Sequence, residues 1–78
     1  MYNLEIKEEV DKIFRKLSKK NKSQLIIINN KIEEIRSNPN HIYKFLTRPL
    51  QTFNRVHIGG SFVLIFKISH ERKIITIY

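Results

Sequence analysis

The sequence predicts an α+β domain in which a hairpin of two helices packs on one face of a small antiparallel sheet. Two changes in hydrophobic period support this fold. Residues 2–6 alternate between apolar and polar side chains, as a half-buried strand does. Residues 8–37 instead repeat apolar side chains every three or four positions, which is typical of amphipathic helices. Short apolar runs separated by turn residues then occupy residues 53–78, so the predicted order is β-α-α-β-β-β.

The helical hairpin is predicted from two apolar faces and the residues between them. The face of the first helix, over residues 8–20, consists of Val10, Ile13, Phe14 and Leu17. Asn21 is suited to cap a second helix, with Gln24 three residues later as its partner. The face of that helix consists of Leu25, Ile28, Ile32 and Ile35. Asn38-Pro39 is predicted to end it, because the residue before proline disfavours helical backbone.

Three strands are predicted at residues 53–58, 62–68 and 73–78. A three-residue turn at Gly59-Gly60-Ser61 would pair Ile58 with Phe62. Opposed residues share a face, and a four-residue turn at residues 69–72 extends the pattern to the last strand. One face is then wholly apolar and is expected to lie under the helices: Val56, Ile58, Phe62, Leu64, Phe66, Ile68, Ile75 and Ile77. The other face carries Arg55, His57, Val63, Ile65, Lys67, Ile74, Thr76 and Tyr78.

The polar members of the second face are cationic or carry a hydroxyl group, and none is a carboxylate. Lys44 and Arg48, on the preceding irregular segment, are expected to border it. Such a face suits phosphodiester chemistry, because histidine can act as a base near neutral pH and arginine offers a planar donor fork to phosphate. We therefore interpret Lys44, Arg48, Lys67 and Tyr78 as RNA or phosphate contacts. This chemistry requires no metal or cofactor.

Composition narrows the class of protein. The 78 residues suit a single domain, residues 1–78, and cysteine is absent, which excludes disulfides. Fifteen Lys and Arg against seven Asp and Glu give a net charge of +8, and residues 38–78 contain one carboxylate, Glu71. This imbalance favours nucleic acid or an acidic protein as partner. The N-terminus does not read as a signal peptide and no apolar run could span a bilayer, so we expect a cytoplasmic protein without membrane contact.

The order of elements and two segments resemble the RelE/ParE toxin superfamily. The segments are Glu8-Glu9-Val10-Asp11-Lys12, which opens the first helix, and Lys44-Phe45-Leu46 through the hairpin from Arg55 to Phe66. In that superfamily a basic, a hydrophobic and a second basic residue precede the hairpin turn, and an aromatic and aliphatic run follows it. The resemblance implies an intracellular toxin that a cognate antitoxin wraps and neutralises. RelE-type members cleave mRNA in the ribosomal A site.

The resemblance also implies a site. Arg55 and His57 fall where RelE-type toxins carry two basic catalytic residues, so Arg55 would stabilise phosphate and His57 would act as base or phosphate ligand. Val63 stands where many members have an arginine. The chain stops at Tyr78, whereas RelE-type members continue and often supply an acid there, so we expect it to lack the last few C-terminal residues. On this interpretation the protein is a metal-independent, ribosome-dependent endoribonuclease with ribosome and mRNA as partners.

Three alternatives stay open at the level of sequence. ParE-type members of the superfamily act on DNA gyrase without nuclease activity, and a toxin relic could retain antitoxin binding alone. A small protein that binds RNA or ribosomes through charge alone is a third interpretation, for which binding would depend steeply on salt. A homodimer is also open, if the first strand or the helical hairpin leaves apolar surface exposed.

Overall fold

The computed structural model describes residues 1–46, 52–59 and 62–78. The elements are β1 (Asn3–Ile6), α1 (Glu8–Lys20), α2 (Lys22–Ser37), β2 (Lys44–Phe45), β3 (Asn54–Ile58), β4 (Phe62–Ser69) and β5 (Ile74–Ile77). The strands form one sheet of order β1-β5-β4-β3-β2, and both helices pack on one of its faces. The predicted α+β class and the helical hairpin are therefore confirmed.

Asn21 joins the two helices and fixes the hairpin. Its backbone N–H donates to the Leu17 carbonyl at 2.8 Å, which closes α1. Its side chain accepts a hydrogen bond from the backbone N–H of Gln24 at 3.1 Å, which caps α2 as predicted. Acidic residues in the first turn of α1 and Lys19 and Lys20 in its last turn complement the helix dipole. Neither of the two helices that the structure describes is long and apolar enough to cross a membrane.

The predicted register of the β3–β4 hairpin is confirmed. Ile58 pairs with Phe62 and Val56 with Leu64, although Gly60 and Ser61 of the predicted turn lie outside the described residues. The turn after β4 comes one residue later than predicted, because Ser69 pairs with Ile74. This change moves β5 by two residues along β4. Since side chains alternate with a period of two, every side chain keeps the face that the sequence predicted.

The sheet departs from the prediction in two respects. It is mixed and not wholly antiparallel, because β1 pairs in parallel with β5, with Leu4 opposite Ile75. Parallel neighbours need a long crossover connection, which the helices and the following strands provide. No local turn specifies the direction of β1, so the sequence pattern alone could not reveal it. The segment predicted to be irregular also contains the short strand β2, where Phe45 pairs with Asn54.

The core lies between the helices and the apolar face of the sheet. Nine buried side chains form it: Phe14, Ile28, Ile32, Ile35, Ile58, Leu64, Phe66, Ile75 and Ile77. Val10, Leu17 and Leu25 are half-buried around this centre. Ile13 was predicted to be part of the core face but is 49% exposed. Val10, Phe14 and Leu17 already form the stripe of α1 that meets the sheet, which leaves Ile13 at its margin.

The division of the two faces can be tested on adjacent residues of β4. Leu64 is 2% exposed in the core and Val63 is 36% exposed on the opposite face. Leu64→Ala should lower the free energy of unfolding by about 2–5 kcal/mol because it leaves a cavity. Val63→Ala is the matched control and should cost about 1 kcal/mol or less. Urea denaturation of both variants measures the difference, and a larger loss for Val63→Ala would mean that the faces are interchanged.

Candidate functional site

The sheet face opposite the helices brings most of the predicted site residues together. Lys44 on β2 pairs with Arg55 on β3, and Arg55 pairs with Ile65 on β4. The Ile65 carbonyl accepts a hydrogen bond from the backbone N–H of Tyr78 at 2.9 Å. One row across the sheet therefore contains Lys44, Arg55 and Tyr78. We call the face of the sheet on which these side chains lie, opposite the helices, the polar face. Arg48, predicted to border this face, lies outside the described residues.

Arg55 and His57 are in contact. The distance between Arg55 Nη1 and His57 Nε2 is 3.3 Å. A guanidinium group can only donate, so in this contact Nε2 is the acceptor and the proton of a neutral ring is on Nδ1. Neither side chain pairs with a carboxylate in the part of the chain that the structure describes. The pair thus places a histidine nitrogen that can accept a proton next to a fixed positive charge.

A cleft at the β2 edge of the sheet opens onto this pair. It has a volume of about 340 Å³ and is lined by His41, Ile42, Tyr43, Lys44, Arg55, Val56 and His57. The sequence suggested no role for His41, which precedes β2 in a segment without helical or strand periodicity. Its ring packs edge-on against Tyr43 with 4.8 Å between the centroids. The position of His41 depends on how this segment folds back along β3, which residue spacing does not specify.

Lys67 and Tyr78 belong to a second group on the polar face. Lys67 Nζ lies 4.5 Å from the ring centroid of Phe53 and 5.9 Å from that of Tyr78. The two rings meet edge to face with 4.9 Å between their centroids, and Lys7 Nζ lies 5.5 Å from the centroid of Tyr78. We call these four residues the aromatic–lysine cluster. Phe53 was not predicted to be part of the site, although its position two residues before Arg55 is the signal that would have placed it on this face.

One expectation about the charge of this face was wrong. The polar face was predicted to carry no carboxylate, but the parallel pairing of β1 places Glu5 there, opposite Thr76. Glu5 Oε1 lies 3.6 Å from Lys7 Nζ, and both side chains are about half exposed, so the pair contributes little to stability. β1 is three strands away from β3, about 14 Å at the usual strand spacing. The surroundings of Arg55 therefore keep their positive charge.

Asn54 holds the segment that carries Lys44. Its side chain is buried, at 7% exposure, on the apolar side of the sheet opposite Phe66. Asn54 Nδ2 donates to the carbonyl oxygens of Tyr43 at 3.2 Å and Lys44 at 3.3 Å. The backbone N–H of Leu46 completes the attachment by donating to the Phe53 carbonyl at 2.9 Å. The sequence signal for this role is a polar residue at a position where the alternation requires an apolar one.

Tyr43 anchors the same segment to α2 and the core. Its hydroxyl donates to the Asn38 carbonyl at 3.2 Å, and its ring packs edge-on against buried Phe66 at 5.3 Å. Burial raises the pKa of the Tyr43 phenol, the Glu34 carboxylate raises it further, and Lys31 acts in the opposite direction. The phenol therefore stays protonated near neutral pH and remains a hydrogen-bond donor. Asn54 and Tyr43 together position Lys44 beside Arg55.

We find no candidate metal site within residues 1–46, 52–59 and 62–78. In these segments His, Asp and Glu side chains do not form a group of three that could hold a metal ion. His70 instead contacts Tyr2, with 3.0 Å between Nδ1 and the tyrosine hydroxyl oxygen. His57 contacts Arg55, and His41 packs on Tyr43. Each of the three histidines thus has its own aromatic or cationic neighbour.

Comparison with known proteins places the chain among toxins. It is 51% identical over 73 residues to a Methanocaldococcus jannaschii protein named "Putative toxin RelE4", covering 94% of this chain and 77% of that protein. It belongs to the RelE toxin superfamily. An uncharacterized protein of Methanosarcina mazei is 49% identical over 77 residues, covering 99% of this chain and 88% of the relative. No protein-family model matches the chain.

A solved structure supports the membership at the level of the fold. A double arginine-to-alanine mutant of the E. coli toxin RelE in the free state superposes with a TM-score of 0.76. The match covers 97% of this chain and 77% of that one, at 19% sequence identity. The helical hairpin on a mixed sheet is therefore the RelE fold. Val63, where the resemblance predicted an arginine, lies directly opposite His57 on β4.

The anchoring role of Asn54 predicts a local effect. Asn54→Ala should lower the free energy of unfolding by about 1–3 kcal/mol, because two carbonyl groups lose their buried donor. Hydrogen exchange at the Leu46 amide should also become faster as β2 detaches from β3. Asn30→Ala, on the exposed surface of α2, is the control and should change stability by about 0.5 kcal/mol or less. Unchanged exchange at Leu46 in the Asn54 variant would contradict the role.

Proposed function

We propose that the chain is the toxin of a type II toxin–antitoxin system and that it cleaves ribosome-bound mRNA, which stops translation. The contact between Arg55 and His57 carries this proposal. It pairs a proton acceptor with a fixed cation, and Lys44 in the next strand adds a second positive charge. The cleft at the β2 edge gives a phosphodiester access to all three side chains. Membership of the RelE superfamily makes mRNA the substrate that we expect.

The proposed reaction uses the substrate's own 2′-hydroxyl as nucleophile. When RNA binds, the 2′-hydroxyl replaces Arg55 as the donor to His57 Nε2, and the guanidinium turns to the phosphate. His57 Nε2 then takes the 2′ proton, and the 2′ oxygen attacks the phosphorus atom as the bond from phosphorus to the 5′ oxygen breaks. The products are a 2′,3′-cyclic phosphate and a 5′-hydroxyl, whose proton comes from water. Arg55 and Lys44 stabilise the negative charge that builds on the phosphate oxygens. The scheme uses no metal or cofactor.

The proposal includes a protein partner and a cellular location. A RelE-type toxin is the partner of a cognate antitoxin, and an acidic antitoxin would complement a chain of charge +8. Ribosome and mRNA are the targets, so the expected location is the cytoplasm. A homodimer also stays a prediction: Ile13 on α1 and Ile26 and Ile27 on α2 are exposed apolar side chains of the helical hairpin.

One observation favours a second function. Val63 places an apolar side chain directly opposite His57, where an arginine would add a third cation to the site. A chain that lacks this charge could inhibit DNA gyrase in the manner of ParE-type members, or could retain antitoxin binding without cleavage. Both versions of this second function predict intact mRNA. They differ in whether the supercoiling activity of gyrase falls when the chain is added.

The nuclease proposal can be tested by adding the purified chain to a translating extract and mapping mRNA ends by primer extension. The wild type should cut mRNA only when ribosomes are translating it. Arg55→Ala with His57→Ala should slow cleavage at least about 100-fold, because general base and phosphate stabilisation are both lost. The doubly substituted protein should stay folded, since both side chains leave the core untouched.

The matched control removes the same residue types elsewhere. His70→Ala with Arg72→Ala changes the turn between β4 and β5, whose side chains are exposed, and should leave cleavage unchanged. Intact mRNA with the wild type, together with inhibition of gyrase, would replace the nuclease proposal by the ParE-like function. Intact mRNA and uninhibited gyrase would leave antitoxin binding as the function. Equal cleavage by both double variants would show that Arg55 and His57 are not the catalytic pair.

A further inference from the structure

The aromatic–lysine cluster lies on the polar face, and the proposed cleavage reaction does not use it. Phe53 and Tyr78 come from opposite ends of the C-terminal half, yet their rings meet at 4.9 Å on the side of the sheet away from the core. Tyr78 is 39% exposed and Phe53 is half-buried. The core does not account for these rings, because they lie on the face that does not pack against the helices. Their position therefore suggests contact with a ligand.

Two ammonium groups lie over these rings. Lys67 Nζ is 4.5 Å from the centroid of Phe53, and Lys7 Nζ is 5.5 Å from that of Tyr78. At exposed sites a cation–π contact is weaker than the stacking of a nucleobase on an aromatic ring. A base can therefore displace the ammonium from the ring. The lysine then remains within reach of the phosphate groups on either side of that base.

The distance to Arg55 fits a neighbouring nucleotide. Phe53 precedes Arg55 by two residues, about 7 Å along an extended chain, and both side chains are on the polar face. Tyr78 lies in the same cross-sheet row as Arg55, two strands away. A single strand that presents one phosphate to Arg55 and His57 would thus bring the adjacent base over Phe53 and Tyr78.

We propose that Phe53, Tyr78 and Lys67 form a nucleobase-binding subsite for the nucleotide adjacent to the bond that is cleaved. Phe53 and Tyr78 provide the stacking surface, and Lys67 moves from the ring to a flanking phosphate. The inference deepens the proposed function and rests on single-stranded RNA lying across the polar face. Because stacking tolerates every base, the subsite positions the strand without selecting its sequence.

The test measures binding in the absence of cleavage. The probes are short 2′-O-methyl RNA oligonucleotides, which lack the nucleophile, with 2-aminopurine at each position in turn. A matched set carries an abasic residue in place of 2-aminopurine. At one position the wild type should quench 2-aminopurine fluorescence and bind the base-containing probe about tenfold more tightly than the abasic one. The ratio of the two affinities within one protein does not depend on the fraction that is folded.

Substitutions in the aromatic–lysine cluster test whether it causes the tighter binding of the base-containing probe. Phe53→Leu should lower the ratio of affinities clearly, because Tyr78 alone provides a smaller stacking surface, and Phe53→Tyr should preserve it. Phe45→Leu is the control with the same substitution, because Phe45 is an exposed phenylalanine on β2 outside the cluster, and it should leave the ratio at the wild-type value. Lys67→Met should lower the salt dependence of binding by about one phosphate contact.

Two outcomes would overturn the subsite. One is an equal affinity of the wild type for base-containing and abasic probes at every position. The other is a ratio of affinities that Phe53→Leu leaves unchanged. In that case the cluster would serve only to hold the end of β5 in place. Cleavage of mRNA by the same wild-type protein would in either case preserve the nuclease proposal. A normal ratio without any cleavage in a translating extract would instead support the subsite and remove the nuclease.

Discussion

The register of the β3–β4 hairpin is the constraint on which the rest of the structure depends. With Ile58 opposite Phe62, Arg55 and His57 face away from the helices together with Val63 and Ile65. The side chains that face the helices are Val56, Ile58, Phe62, Leu64 and Phe66. A slip of one residue would turn one strand over relative to the other, and would bury either Arg55 and His57 or Lys67 beneath α1 and α2. Burial of unpaired charge costs far more than the loss of a few methylene contacts. The core therefore determines the register, and the register in turn presents the candidate site.

The residues that stabilise the fold and the residues of the candidate site therefore lie on opposite faces of one sheet. The core is made by apolar side chains on the face that meets the helices, and neither Arg55 nor His57 is one of them. Asn54 is the exception, because it is buried among apolar residues and also holds the strand that carries Lys44. Seventy-eight residues bury a limited core, and this separation lets the polar face change without loss of that core.

The sequence predicted those features that depend on local period and capping. The bounds of α1, the Asn21 cap and the pairing of Val56 with Leu64 follow from residues that are close in sequence, and the structure has all three. The direction of β1 and the strand β2 depend on contacts between distant segments, and neither was predicted. The same limit explains why Glu5 was not placed on the polar face. Residue type alone likewise could not show that Phe53 and Tyr78 meet.

The central claim is that single-stranded RNA binds to the polar face and not to the lysines of the helical hairpin. Amide chemical shifts of the labelled protein, followed during titration with a 2′-O-methyl RNA oligonucleotide, test it most directly. The account predicts that the largest shifts occur at Lys44, Arg55, His57, Lys67 and Tyr78. Shifts concentrated at Lys16, Lys19, Lys20 and Lys22, with the polar face unchanged, would contradict it.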